Sequence, residues 1–141
     1  MNVKIIIENF NVRVYGVLIE KNAVLITREN RFDIEMIKFP GGGLEKGEGI
    51  KACLEREFQE EFGVEIELVE LFYINEFFQQ SAFASKDQLI SIYYKVRRLN
   101  DTEKIVSKEE GVGVEWYNEK TLNKEMMTFP IDKIVAEMIG E

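Results

Sequence analysis

The chain opens with a short apolar run, MNVKIIIENF, broken by Glu8, which reads as an edge strand. Residues 12–19 (VRVYGVLI) are apolar and rich in β-branched side chains, and they predict a strand. Glu20, Lys21 and Asn22 make a turn, and residues 23–28 (AVLITR) return as a second strand, giving a hairpin. Residues 29–38 read as a polar connection ending in Lys38-Phe39, and Pro40-Gly41-Gly42-Gly43 then breaks the pattern. From about 49 to 62 the period changes. Leu54, Phe58 and Phe62 recur every four residues, as on one helix face, and Gly63 is placed to cap the C-terminus. Residues 64–74 (VEIELVELFYI) begin with the apolar–charged alternation of a strand, and 88–97 (QLISIYYKVR) and 112–117 (VGVEWY) are two further strands. Residues 131–139 place Ile131, Ile134, Val135, Met138 and Ile139 on one helix face, entered through Pro130. A mixed sheet with helices packed on it is expected, an α/β (α+β) domain.

Composition narrows the chemistry. The 141 residues suit one domain, and 45% apolar content is enough to bury a real core. There is no internal repeat and no linker that would divide the chain. Twenty-six acids against 18 bases leave a net charge of -8, which argues against a nucleic-acid binder. A polyanionic substrate must then be met locally, by a few bases or by bound cations. The chain has no histidine and one cysteine, Cys53. A disulfide within the chain, a Cys/His zinc site and the Ser-His-Asp and Cys-His arrangements are all excluded. Acid–base work falls to carboxylates, lysine, tyrosine or metal-activated water. The lone cysteine suits a reducing cytosol, and no run has the length of a membrane span or the pattern of a signal peptide. A cytoplasmic protein with no membrane partner is expected.

The 49–62 helix is electrostatically odd. Glu57, Glu60 and Glu61 share one face spanning about 100°. Like charges at these spacings repel by roughly 0.2–0.5 kcal/mol per pair. Glu60 and Glu61 also lie in the last turn, where the helix dipole disfavours anions, and no lysine follows to offset them. A divalent cation on the cluster resolves both penalties, because hard cations such as Mg²⁺ and Mn²⁺ take carboxylate oxygens. The glycine loop in front lets backbone approach a ligand closely. It is not a Walker loop, since Gly47 is followed by Glu48 and Gly49, and the 41–46 run lacks the final glycine of a dinucleotide fingerprint.

Together the two parts form a pattern: Gly42, five residues, Glu48, seven residues, then Arg56-Glu57-Phe58-Gln59-Glu60-Glu61-Phe62-Gly63-Val64. This resembles the Nudix box, G-x5-E-x7-R-E-U-x-E-E-x-G-U with U apolar, and all seven fixed residues match. The departure is Phe58, aromatic where U is more often aliphatic. The box covers 42–64, and the flanking strands and the Phe39-Pro40-Gly41-Gly42 lead-in extend the resemblance over most of the chain. It implies one Nudix hydrolase domain over 1–141, an α/β/α sandwich on a mixed β-sheet. It implies metal ligands at Glu57, Glu60, Glu61 and the Gly41 carbonyl, with Mg²⁺ (or Mn²⁺) as cofactor. Arg56 resembles the family arginine that orients a box glutamate, and Glu48 the supporting loop glutamate. The implied activity is hydrolysis of a nucleoside diphosphate linked to another moiety, giving a nucleoside monophosphate and a phosphorylated remainder. The alternative is a Nudix-fold module that binds or regulates without hydrolysis.

Outside the box, Lys108-Glu109-Glu110-Gly111 ahead of Val114-Glu115-Trp116 resembles a segment that supplies a further ligand or base in some members, making Glu110 a catalytic candidate with Glu109 beside it. Trp116 is expected in the core. Residues 72–83 (FYINEFFQQSAF) carry four phenylalanines and a tyrosine, for which core packing of alternate residues is the main expectation and a base-stacking pocket or dimer contact the other. Cys53 matches no fixed position and is expected to be inert. Family signals for particular substrates, such as those of ADP-ribose or dinucleoside polyphosphate hydrolases, are absent. A homodimer is implied by resemblance only.

Overall fold

In chain order the elements are β1 (Asn9–Glu20), β2 (Ala23–Arg31), β3 (Ile34–Lys38), β4 (Gly41–Gly43), α1 (Ile50–Phe62), β5 (Ile66–Ile74), β6 (Asp87–Arg98), β7 (Val112–Asn118), a short 3-10 turn (Lys124–Met126) and α2 (Pro130–Gly140). The computed structural model describes residues 4–100 and 103–141. Most expected elements form within a few residues of their predicted bounds.

Three expectations are corrected. Over its described residues the N-terminal run is not an edge strand: residues 4–8 form no strand, Asn9 and Phe10 begin β1, a central strand, and Met1–Val3 lie outside the described residues. The 29–38 connection is a hairpin. β2 runs on to Arg31 and β3 pairs with it antiparallel, Glu29 opposite Met36 and Asn30 opposite Glu35. Its turn is Phe32-Asp33, both in the left-handed region at φ 54° and 61°. Phenylalanine is a poor choice there, so the usual turn signal is missing. In α2 the most buried stripe is Ile131, Asp132, Val135 and Ala136, rotated from the expected one, and Ile134, Met138 and Ile139 are only half-buried.

The strand order is β3-β2-β1-β6-β5, with β4 also on β1 and β7 also on β2. β1 and β6 run parallel over ten residue pairs and the other pairings are antiparallel, so the sheet is mixed. β1 and β2 pair only beside their turn, at Ile19–Val24 and Glu20–Ala23, and then part. β4 sits on the freed side of β1, with Gly42 opposite Val14. The triple glycine is therefore a short strand that delivers the chain to α1.

Alternation along the central strands sends side chains to two cores. Val14, Leu18 and Leu25 pack with Leu54, Phe58 and Phe62 of α1. Val17, Val24 and Ile26 pack with Ile131, Val135 and Ala136 of α2. One helix covers each face, the expected α/β/α sandwich. Burying each large apolar side chain contributes about 1.5–3 kcal/mol, and Leu54 and Phe58 are fully enclosed. The aromatic Phe58 is accommodated by Gly16: a β-carbon there would lie 2.6 Å from the Phe58 ring. Trp116 packs against the α1 core as expected. No helix among the described residues is long and apolar enough to cross a membrane.

Candidate active site

α1 starts without a side-chain cap at Gly49 and ends at Gly63, whose φ of 68° closes the helix in the left-handed conformation. No basic residue occupies its last turn. The repulsion expected among its glutamates is met instead by Arg56. Its Nε and Nη2 donate to Glu48 at 3.0 and 2.6 Å, a forked pair. Its Nη1 donates to Glu57 at 3.0 Å and Glu60 at 3.3 Å, and Nη2 also reaches the Gly43 carbonyl at 3.2 Å. Glu48, bonded by Arg56 and by the Glu45 amide, is held down to about 2. One guanidinium thus ties the glycine strand, the loop and the helix together.

Glu57 lies against Gly42, where any β-carbon would overlap its carboxylate. Burial raises its pKa, against the pull of Arg56. Glu61 is more extreme. Burial pushes it up to about 8 against the pull of Lys38, and the charges of Glu57, Glu109 and Glu29 push the same way. Lys38 itself is paired with Glu29 at 2.9 Å. Glu60 is more than half exposed and pairs with Arg56. Gly41 sits in β4 opposite Tyr15.

Glu57, Glu60 and Glu61 share a helix face, but among the described residues no three acidic side chains converge into a ready-made metal cage. Arg56 draws Glu57 and Glu60 towards itself. The donors still fit a hard divalent cation: all are carboxylates, one rests on bare glycine, and Glu61 is an enclosed acid that a nearby positive charge would relieve. The turn with the other candidate is fastened to α1, because the Lys108 amide donates to the Glu61 carbonyl at 2.7 Å. On that turn it is Glu109 whose charge reaches Glu61. Glu110 is exposed, and no contact joins it to the helix carboxylates among the described residues. Cys53 is buried near the Gly43 carbonyl, and burial pushes its thiol up to about 12, which makes it inert at neutral pH.

A cavity of about 480 Å³ adjoins this cluster, a size that suits a small-molecule ligand. Arg13, Tyr15 and Tyr93 line it from the sheet, Lys38 from β3, and Asp132 from α2. Asp132 is buried and accepts a hydrogen bond from the Tyr93 hydroxyl. Burial pushes it up to about 7, although Tyr93, the Phe39 amide, Lys38 and Arg13 all favour its ionised form. Arg13 donates to the Tyr15 hydroxyl at 2.7 Å and lies within electrostatic reach of both Glu57 and Asp132. Lys38 acts on both Glu61 and Asp132. These two cations stand where the cavity meets the helix carboxylates.

Sequence reasoning missed Arg13, Lys38, Asp132 and the two tyrosines. Arg13 had a legible signal, since it and Tyr15 fall on the same face of β1 as the core residue Val17. Asp132 had none, because an acid in a first helical turn is ordinary dipole chemistry. The aromatic 72–83 segment divides: Phe72 and Tyr73 pack against the core, whereas Phe77, Phe78 and Phe83 are exposed. Core packing accounts for fewer of them than expected.

A family profile described as the NUDIX domain matches residues 9–138. An 8-oxo-dGTP diphosphatase of Buchnera aphidicola subsp. Schizaphis graminum is 36% identical over 55 residues, 38% of this chain and 42% of that relative. A Nudix hydrolase from Nitrosomonas europaea superposes with a TM-score of 0.71 at 22% identity, over 90% of this chain and 86% of that one. A MutT Nudix hydrolase from Burkholderia pseudomallei gives 0.73 at 17% identity, over 92% and 98%. These structures share the fold, and the profile spans the whole sheet, α1 with the Arg56 network and all but the last two residues of α2. The chain belongs to the Nudix hydrolase family.

Proposed function

We propose that the protein hydrolyses the diphosphate bond of a nucleoside diphosphate derivative, releasing a nucleoside monophosphate and a phosphorylated remainder. One observation carries this reading: the carboxylate helix and the cavity meet across Arg13 and Lys38, so a ligand in the cavity presents a diphosphate to the acids past two cations. The partial match to an 8-oxo-dGTP diphosphatase supports a nucleotide as the ligand.

Glu57, Glu60, Glu61 and the Gly41 carbonyl would hold the cation, Mg²⁺ or Mn²⁺, which when bound offsets the diphosphate charge and acidifies the attacking water. Arg56, fixed by Glu48, orients Glu57 and Glu60. Arg13 and Lys38 bind the bridging phosphates and stabilise charge on the departing group. With the cation bound, Glu61 would be held ionised and would accept the proton from water, with Glu110 the second candidate for that step. The enclosed Asp132 and Tyr93 hold the nucleoside end.

The test is monophosphate release from a panel of nucleoside diphosphate derivatives, with Mg²⁺, with Mn²⁺ and with EDTA. Release that requires the metal is expected. Tight binding with no release on a broad panel would instead establish a non-hydrolysing binding module. The one feature that favours that second reading is the hold of Arg56 on Glu57 and Glu60.

A further inference from the structure

At the cavity mouth three groups from two segments form a compact cluster. The Arg31 guanidinium lies 5.3 Å from the centre of the Phe32 ring and 5.6 Å from that of Phe83. The two rings are 5.9 Å apart. The triangle is nearly equilateral, so Arg31 rests beside both rings and is not sandwiched between them. Phe83 continues the contact, edge-on, to Phe129 at 6.0 Å. The chain of contacts thus links the β2–β3 turn, the loop before β6 and the residue just before α2. Arg31, Phe83 and Phe129 line the cavity, and Phe32 backs Arg31.

Three features of the cluster make little sense as packing. Phe32 is 71% exposed and Phe83 46%, so neither is a core residue. Phe32 also occupies a left-handed backbone position, which disfavours a bulky side chain and suits asparagine or glycine. The chain bears both penalties at one residue. The third feature is charge. Arg28, Arg56, Arg97 and Arg98 each pair with a glutamate. Arg31, like Arg13 on the same cavity, has no carboxylate ion pair among the described residues, although acids outnumber bases in the chain, and unlike Arg13 it has no hydroxyl partner either. A guanidinium laid against aromatic faces keeps its in-plane N–H donors for a ligand, and its plane and the Phe83 ring offer stacking surface.

We propose that Arg31, Phe32 and Phe83 form a specificity clamp that closes on a planar heteroaromatic ring, the nucleobase of the substrate. This rests on the reading that a nucleotide occupies the cavity. Phe83 and Arg31 stack on the ring face, the Arg31 N–H groups meet acceptors on its edge, and Phe32 sets the position of Arg31. A lipid chain does not suit a wall that carries Asn11, Gln79 and Ser91. A base-free sugar diphosphate leaves the aromatic faces unused.

The test is calorimetric binding, with Mg²⁺, of α,β-methylene nucleoside diphosphates and of base-free methylenediphosphonate. Wild-type protein should bind the base-bearing ligand at least about tenfold tighter, the scale of one base–aromatic stack. Arg31→Gln and Phe83→Ala should each reduce that preference to about threefold or less and leave methylenediphosphonate affinity unchanged. Phe32→Asn relieves the turn, so its Tm should hold or rise while the preference falls. No ring preference in the wild type, or an undiminished one in Arg31→Gln and Phe83→Ala, overturns the clamp. An unchanged preference in Phe32→Asn, at whatever Tm, makes Phe32 a turn residue only and removes it from the clamp. Turnover is scored separately: ring preference without metal-dependent hydrolysis would sink the hydrolytic reading and leave the clamp standing.

Discussion

The carboxylate helix and the cavity beside it are built in opposite ways. The helix site comes from one stretch, residues 41–63, and within it Arg56 compensates Glu48, Glu57 and Glu60. The cavity is assembled from β1, β2, β3, β6, the loop before β6 and the start of α2. A contiguous site keeps its geometry through local helix and turn physics. A dispersed one depends on the packing of the whole sandwich, and its residues can vary without disturbing the helix. Under the proposed reading, chemistry sits in the first and selection in the second.

The largest expected effect tests the helix. Glu61→Gln should lower kcat about 10²–10⁴-fold, the usual weight of a positioned proton acceptor. Its Tm should hold or rise, because the enclosed acid must take up a proton on folding near neutral pH and the amide need not. A fall in Tm with kcat preserved would show that Glu61 is structural.

The next effect belongs to the cavity. Asp132 has a folded pKa of about 7 against an ordinary value of 3.8, because it is buried. Folded protein therefore holds the extra proton between pH 4 and 7, and its stability contribution is full below pH 4 and lost as pH rises towards 7. Burial sets that range against Tyr93, the Phe39 amide, Lys38 and Arg13, all of which favour the ionised form. Asp132→Asn should gain on the wild type as pH rises through that window, by as much as about 4 kcal/mol for three pKa units. Denaturant melts at pH 4.5 and 7.5 measure it. A constant difference between the two proteins would contradict the assignment.

Arg56→Lys keeps the charge and loses the fork that grips Glu48, so kcat should fall about 10–100-fold with KM nearly unchanged. Equal loss in KM would place Arg56 in substrate binding instead. Gly16→Ala should cost about 1–2 kcal/mol of stability through its clash with Phe58, and Phe58→Leu in the same chain should recover most of it. Failure of that rescue would mean that Gly16 answers to something other than the ring.

The same contrast explains what was legible in the sequence. The α1 site was readable because Glu48, Arg56, Glu57, Glu60 and Glu61 stand at fixed spacings, and a helix converts spacing into shared faces. Their side-chain partners were not all readable: that Glu57 and Glu60 both turn to the Nη1 of Arg56 is a matter of rotamers. The sheet was legible wherever apolar residues alternate or run together, as in β1, β2 and β6. It failed at β3, whose polar edge and Phe32-Asp33 turn carry none of the usual hairpin residues. The cavity stayed hidden because burial of Asp132 and the approach of Arg13 to Glu57 arise only when distant segments meet.

The division of labour is tested most directly by measuring, in one set of proteins, kcat with Mg²⁺ on a base-bearing and a base-free diphosphate and the Kd of a non-hydrolysable nucleotide. Changing Glu57, Glu60 and Glu61 to glutamine should abolish turnover of both substrates while nucleotide binding falls modestly. Changing Arg31 and Phe83 should weaken nucleotide binding while turnover of the base-free substrate persists. Persistent turnover in the glutamine variant, or equal loss of both activities in the mouth variant, would contradict the account.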